Sequence, residues 1–201
     1  MKVTSESALR DIYGLPAGRS KLKQLNALEQ HSRQFIAMSP FLVISTANKS
    51  GLLDASPRGG AAGFVKVVDD NCIVIPDAKG NKRLDSLVNI IQSGQIGCLF
   101  LIPGVDETLR VNGRASINID NKYLSIFQDE RHPPQSVIVI EVTEVFLHCA
   151  KALMRSKLWS SDSQIERQSL PTMGKMINDQ IGESAAPEPQ EQMIKRYLKD
   201  L

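Results

Sequence analysis

The chain has 201 residues, 42% hydrophobic and 23% charged, a composition that suits a soluble globular protein with one sizeable core. Its 24 basic and 22 acidic residues leave a net charge of +2, so charge gives no global argument for nucleic acid, and an anion site has to be local. No apolar run approaches the roughly 20 residues that span a bilayer, and the first residues, MKVTSESALRDIYG, lack the apolar core of a signal peptide, so a cytoplasmic protein without membrane contact is expected.

Residues 5–13 are predicted to form a short helix capped by Thr4 or Ser5. The run YGLPAG breaks the chain. A longer helix is then expected from Ser20 to Ser39-Pro40, because Leu22, Leu25, Leu28, Phe35 and Met38 recur near helical spacing. Residues 1–40 therefore read as a helical arm. Residues 41–46 form a compact apolar strand, and Asn48-Lys49-Ser50-Gly51 predicts a hairpin to a second strand at 52–56. A further hairpin joins residues 64–68 to 72–75 through Asp69-Asp70-Asn71.

A helix is expected after Gly80-Asn81-Lys82-Arg83, with Asn81 as its cap and Leu84, Leu87, Val88 and Ile91 on its apolar face. Residues 96–102 are the most continuous apolar run and read as a buried strand. Residues 108–117 alternate, so Thr108, Arg110, Asn112 and Arg114 share one strand face, read either as a polar cleft or as a solvated surface. A short helix around 122–127 and a β-rich run over 135–150 follow. Helical segments are expected at 149–159, at 171–181 and after Pro187-Glu188-Pro189. The division expected is a helical arm (1–40), a β domain (41–150) and a C-terminal helical extension (151–201) packed on the barrel or a dimer. Frequent short turns argue for an antiparallel barrel over a parallel sheet. No GxGxxG follows a strand, which disfavours a dinucleotide fold.

Two basic loops flank the second hairpin. Arg58 precedes Gly59-Gly60, where the backbone can approach a ligand closely, and its planar fork suits phosphate oxygens. Lys82 and Arg83 precede a helix start, where free N–H groups and the positive dipole end favour an anion. Each cluster alone also reads as a solvated turn; their placement on either side of one hairpin favours a shared ligand. Lys66 lies mid-strand, as an ordinary polar-face residue or as a cation beside a flavin ring. Trp159, the one Trp, reads as a core or interface anchor. Cys72, Cys98 and Cys149 read as reduced core residues. His31, His132 and His148 lack metal-ligand spacing, and no G-x-S-x-G is present.

The array SPRGG, GFVKV, IPDAKGNKR, DSL.NI, IGCLFLIPG and ETLRVNGRASI resembles the pyridoxamine 5′-phosphate oxidase-related, FMN-binding split-barrel proteins over roughly residues 35–160. The resemblance implies a mainly β fold with peripheral helices, built on a six-stranded antiparallel split barrel that dimerises with FMN at the subunit interface. By position it assigns Arg58 and Lys66 to FMN, Pro76 and Asp77 to the flavin ring, and Asn81, Lys82 and Arg83 to the phosphate. Thr108, Arg155 and Trp159 fall where the other subunit approaches the flavin. The C-terminal motif that closes over pyridoxal phosphate in the true oxidase is absent, so pyridoxamine phosphate oxidation is not expected. The expectation is an FMN-dependent oxidoreductase with a small-molecule substrate or NAD(P)H, its catalytic residues unassigned. The alternative is a non-catalytic flavin or haem carrier on the same barrel. Near-neutral charge and only six Phe, three Tyr and one Trp speak against a nucleic-acid-binding barrel.

Overall fold

The structure, a computed structural model, describes residues 2–200. Strand β1 (Phe41–Ala47) and strand β2 (Leu53–Gly59) form the first antiparallel hairpin. Asn48 Oδ1 accepts from the N–H groups of Ser50 and Leu52, at 2.9 and 3.0 Å, and so fixes the turn. Strand β2 extends past the expected 52–56 and takes Pro57 and Arg58 into the ladder. A strand Pro is tolerated here because β2 is an edge.

Strand β3 (Lys66–Asp69) and strand β4 (Cys72–Pro76) form the second hairpin, with an irregularity between Val67 and Asp69. Strands β5 (Gln95–Leu101), β6 (Thr108–Asn118) and β7 (Val137–His148) complete one antiparallel sheet in the order β2-β1-β5-β6-β7-β4-β3. The fold is mainly β with peripheral helices, as expected. The sheet has seven strands rather than six, because the four-residue β3 pairs with β4 as a separate edge. Strands β2 and β3 are the unpaired edges, so the sheet is split rather than closed.

The core follows the strand alternation. Leu42 and Ile44 of β1, Phe100 of β5, Leu109 and Val111 of β6, Ile138 and Ile140 of β7, and Ile73 and Ile75 of β4 are all fully buried. A bulge lets β7 carry Thr143 as an extra residue, so that Val142 and Val145 both face the core. At this bulge a Cβ on Gly113 would lie 2.2 Å from the Glu141 carbonyl oxygen, so the close approach requires glycine. A smaller cluster of Val74, Phe127 and Val137 packs under helix α5 (Asn121–Leu124) and the turn after it.

Helix α1 (Glu6–Tyr13) is capped by Ser5, as expected. The long helix predicted from Ser20 is instead two pieces, α2 (Arg19–Leu22) and α3 (Gln30–Met38). Tertiary bonds interrupt it. Leu25 exchanges backbone hydrogen bonds with Val145 at 2.9 and 2.8 Å, and Leu28 N–H donates to Asp70 at 2.7 Å. Glu29 then caps α3, its carboxylate accepting from the His31 and Ser32 N–H groups.

Helix α4 (Asp85–Ser93) starts later than predicted, because Leu84 is left-handed with φ 60°. Asn81 is therefore not its cap. The buried face is Ser86, Leu87, Asn89 and Ile90, whereas Leu84, Val88 and Ile91 are exposed. Helix α6 (Lys151–Ser156) stops before the predicted 159, where Lys157 turns left-handed. Helices α7 (Met173–Ile181) and α8 (Gln190–Tyr197) follow. Leu153 is buried, and no residue from Met154 to Asp200 is. Cys98 is buried and its thiol is pushed up to about 12 by desolvation, Cys72 is half-buried, and Cys149 is exposed just past β7 rather than in the core. Among the described residues no helix is long and apolar enough to cross a membrane.

Candidate functional site

The inner face of β2 forms one wall of a groove. Its alternation half-buries Asp54, Ser56 and Arg58 and exposes Leu53, Ala55 and Pro57. Asp54 Oδ2 accepts from both Ser56 Oγ and Ser86 Oγ, which ties β2 to the first turn of α4. Opposite it lie α4 and, through Arg83, the loop at residues 77–84. The loop is pinned at its start by the Asp77 N–H donating to Ser136 at 3.0 Å and shaped inside by Asn81 Oδ1 accepting from the Arg83 N–H at 3.0 Å. Between these walls lies an open groove of about 320 Å³ lined by Asn48, Asp54, Arg83, Asp85 and Asn89 with apolar neighbours Leu52, Leu53 and Val88.

Charge links the walls. Burial raises the Asp77 carboxyl above its ordinary value, and the positive charge of Arg58 pulls it back. Arg58 acts on Asp77 although β2 and β4 are far apart in strand order. Arg83 Nε donates to Asp85 Oδ2 at 2.8 Å; that hydrogen bond raises the guanidinium pKa first, followed by the charges of Asp85 and Asp54. No side chain caps the α4 N-terminus. Arg83 therefore stands at a helix start that no side chain caps, with Lys82 next to it in the chain, while Asp54 and Asp85 moderate its charge. That donor set fits the phosphate end of FMN.

Lys66, Pro76, Thr108, Arg155 and Trp159 do not line this groove. Lys66 starts β3 and faces Glu130 at 3.8 Å, with its ammonium 5.9 Å from the Phe127 ring. Pro76 ends β4 opposite Val137, the first residue of β7, whereas Thr108 lies opposite His148, the last. At about 3.3 Å per residue the twelve-residue strand separates these two ends by roughly 35 Å. Thr108 is buried; Trp159 Nε1 donates to the Val105 carbonyl at 2.9 Å, close by in sequence; Arg155 is exposed on α6. One chain thus carries Asp77, Asn81, Lys82 and Arg83 on one loop, with Arg58 acting on Asp77, and Arg83 alone of these lines the groove; Thr108, Arg155 and Trp159 do not.

The face that carries Thr108, Arg110 and Asn112 is neither an open cleft nor bare surface. Arg110 and Asn112 both donate to Glu144 Oε1, at 2.7 and 2.8 Å, and Gln24 of the arm donates to Oε2 at 2.7 Å. Lys23 and Arg110 flank the Phe146 ring, and His148 meets its edge. Arg114, beyond the bulge, is exposed. Asp54, Asp85 and Ser86 had no role in the sequence reading. The period-two run Asp54, Ser56, Arg58 was the available signal for the first of them. Among the described residues, no three of His, Cys, Asp or Glu are grouped to hold a metal ion.

Comparison with known proteins agrees with this architecture. The pattern of the pyridoxamine 5′-phosphate oxidase family matches residues 28–149. Group A Streptococcus HupZ, solved at 1.70 Å, superposes with a TM-score of 0.50 at 18% identity, covering 60% of this chain and 93% of that one. An FMN-binding protein from Syntrophomonas wolfei superposes with a TM-score of 0.45 at 13% identity, over 58% of this chain and 83% of that one. The likeness to HupZ shows a shared fold. No curated protein sequence matches the chain.

Proposed function

We propose that this chain, which belongs to the pyridoxamine 5′-phosphate oxidase family, binds FMN and works as a flavin-dependent oxidoreductase in the cytoplasm. The observation that carries the reading is Arg83 on a groove at the uncapped start of α4, on the same loop as Lys82 and as Asp77, on whose charge Arg58 acts. Arg58, Lys82 and Arg83 would hold the phosphate through charge-assisted hydrogen bonds. Asp85 fixes Arg83, and Asp54 with Ser86 fixes the groove floor. Pro76 and Asp77 would border the flavin ring, with Lys66 as the cation beside it. When bound, FMN supplies the hydride or electron transfer that no side chain provides.

The separation of Thr108, Arg155 and Trp159 from the groove supports a homodimer in which these residues complete the partner's site, with FMN between subunits. The open groove of a single chain fits that reading. The test is a visible spectrum of the purified protein, with FMN titration, before and after NADPH. The expected outcome is a yellow protein that releases FMN on denaturation and is bleached by the reductant. Colourless protein with no spectral change on FMN addition would refute cofactor binding. FMN that binds but is never reduced by NADH or NADPH would make the protein a carrier, and a Soret band would make it a haem protein.

A further inference from the structure

We infer that the C-terminal extension is a strap whose far end, through Asp200, holds the 77–84 loop in the shape that presents Arg83 to the groove. Its functional meaning rests on the proposed phosphate site.

The extension is fixed at two points. At its near end Leu153 is buried, and Trp159 Nε1 donates to Val105 at 2.9 Å. At its far end Asp200 Oδ1 accepts from Lys79 Nζ at 2.7 Å, in the middle of the cofactor loop. The hydrogen bond from Lys79 holds the Asp200 carboxyl below its ordinary value, and His132 and Arg196 add positive charge. Between these points no residue enters the core. Within this span, α7 and α8 are both tied to Glu188. Gly174 of α7 sits so close to Glu188 that a Cβ would be 3.1 Å from the Glu188 carbonyl oxygen. Arg196 of α8 grips the Glu188 carboxylate at 2.8 and 3.2 Å.

The loop is an element that needs such support. Residues 78–85 are exposed. Lys82 and Leu84 adopt left-handed backbone, with φ 64° and 60°, a conformation costly for residues with a Cβ and kept where the surroundings impose it. Between Asp77 and Arg83, Lys79 supplies a side-chain tie to another element, Asp200. Lys82 and Arg83 lie just beyond that tie. Asp200 and Lys79 are therefore positioning residues, acting on the phosphate site through the loop.

A charge-swap series in the full-length protein tests this. Amide hydrogen exchange over residues 78–84 is measured without added cofactor for the parent, Lys79→Asp, Asp200→Lys, and the double variant. Exposed ion pairs contribute little each, so each single variant is expected to speed exchange about two- to fivefold, and the double variant to return toward the parent. Equal exchange in all four proteins, or a double variant no slower than the singles, would overturn the strap. FMN release, followed by recovery of flavin fluorescence, should accelerate in the same singles and slow again in the double. Exchange that responds while FMN release does not would refute the positioning role. A parent protein that binds no FMN at all refutes the cofactor reading, and the exchange series still decides the strap.

Discussion

The interior of the sheet and the groove beside it are built on opposite terms. In the interior, Ile44, Phe100, Val111 and Ile140 are sealed from water, and each strand position is dictated by its neighbours across the ladder. At the groove, residues 78–85 are exposed, two non-glycine residues are left-handed, and Arg83 faces the carboxylates of Asp54 and Asp85. The interior gains from burying apolar area, about 25 cal/mol per Å². The groove buries little and holds charge ready for a ligand. The contrast predicts that a change in one region leaves the other's property nearly untouched.

The largest expected effect lies in the interior. Gly113→Ala places a methyl 2.2 Å from the Glu141 carbonyl oxygen and 2.9 Å from Ile140 Cγ2, at the bulge that turns both Val142 and Val145 inward. Backbone cannot yield as a flexible side chain would. The loss expected is about 3 kcal/mol or more, at the upper end for overpacking. It should appear in urea unfolding as a lower midpoint with an unchanged slope. A loss below about 0.5 kcal/mol would mean that the bulge relaxes freely and that the interior is less constrained than its burial implies.

The groove should break in the reverse sense. Lys82→Glu with Arg83→Glu removes two of the proposed phosphate cations and sets repulsion in their place. A loss of about a hundredfold in FMN affinity is expected, equivalent to roughly 2.7 kcal/mol. Exposed substitutions of this kind usually move stability by no more than about 0.5 kcal/mol, and the Arg83–Asp85 pair lost with them is itself exposed. Fluorescence titration alongside thermal unfolding separates the two properties. Affinity unchanged within a factor of two would move the phosphate away from this loop.

Much of this contrast was legible in the sequence, because the forces involved are local. Alternating apolar residues and turn chemistry located all seven strands within a few residues, although the resemblance implied six. Ser5 declared its helix by its side chain. The two basic loops were visible as clusters. What stayed hidden depends on contacts distant in sequence. The split of the arm is imposed by Leu25 meeting Val145, and apolar spacing alone reads that segment as one helix. The late start of α4 follows from a left-handed Leu84, for which no glycine or asparagine gave warning. The Asp54–Ser86 tie joins residues 32 apart and the Lys79–Asp200 tie residues 121 apart. The basic loops therefore stand out in the sequence, whereas the carboxylates and hydroxyls around Arg83 do not.

The smallest effect tests the boundary between the two regions, where the barrel's outer face is polar yet partly covered. His148 ends β7 against the edge of Phe146, at a centroid distance of 4.9 Å. Burial lowers its pKa, and the charges of Arg110 and Lys23 lower it further. Glu144 is the carboxylate of this network, and it is already occupied by Arg110, Asn112 and Gln24. With the folded value depressed, the unfolded chain binds the proton more readily. Stability is then full above the ordinary histidine value near 6.5 and falls as pH drops through the lower folded value. The melting temperature of the parent protein should decline over that window, and His148→Gln should flatten the decline there while leaving the melt at pH 7.5 almost unchanged. Glu29, depressed by its helix-capping bonds although burial opposes them, titrates lower and should not confuse the window. If His148→Gln follows the parent curve throughout, the covered outer face behaves like open solvent. The boundary of the protected region would then lie at the core side chains of β7 rather than at the arm that crosses them.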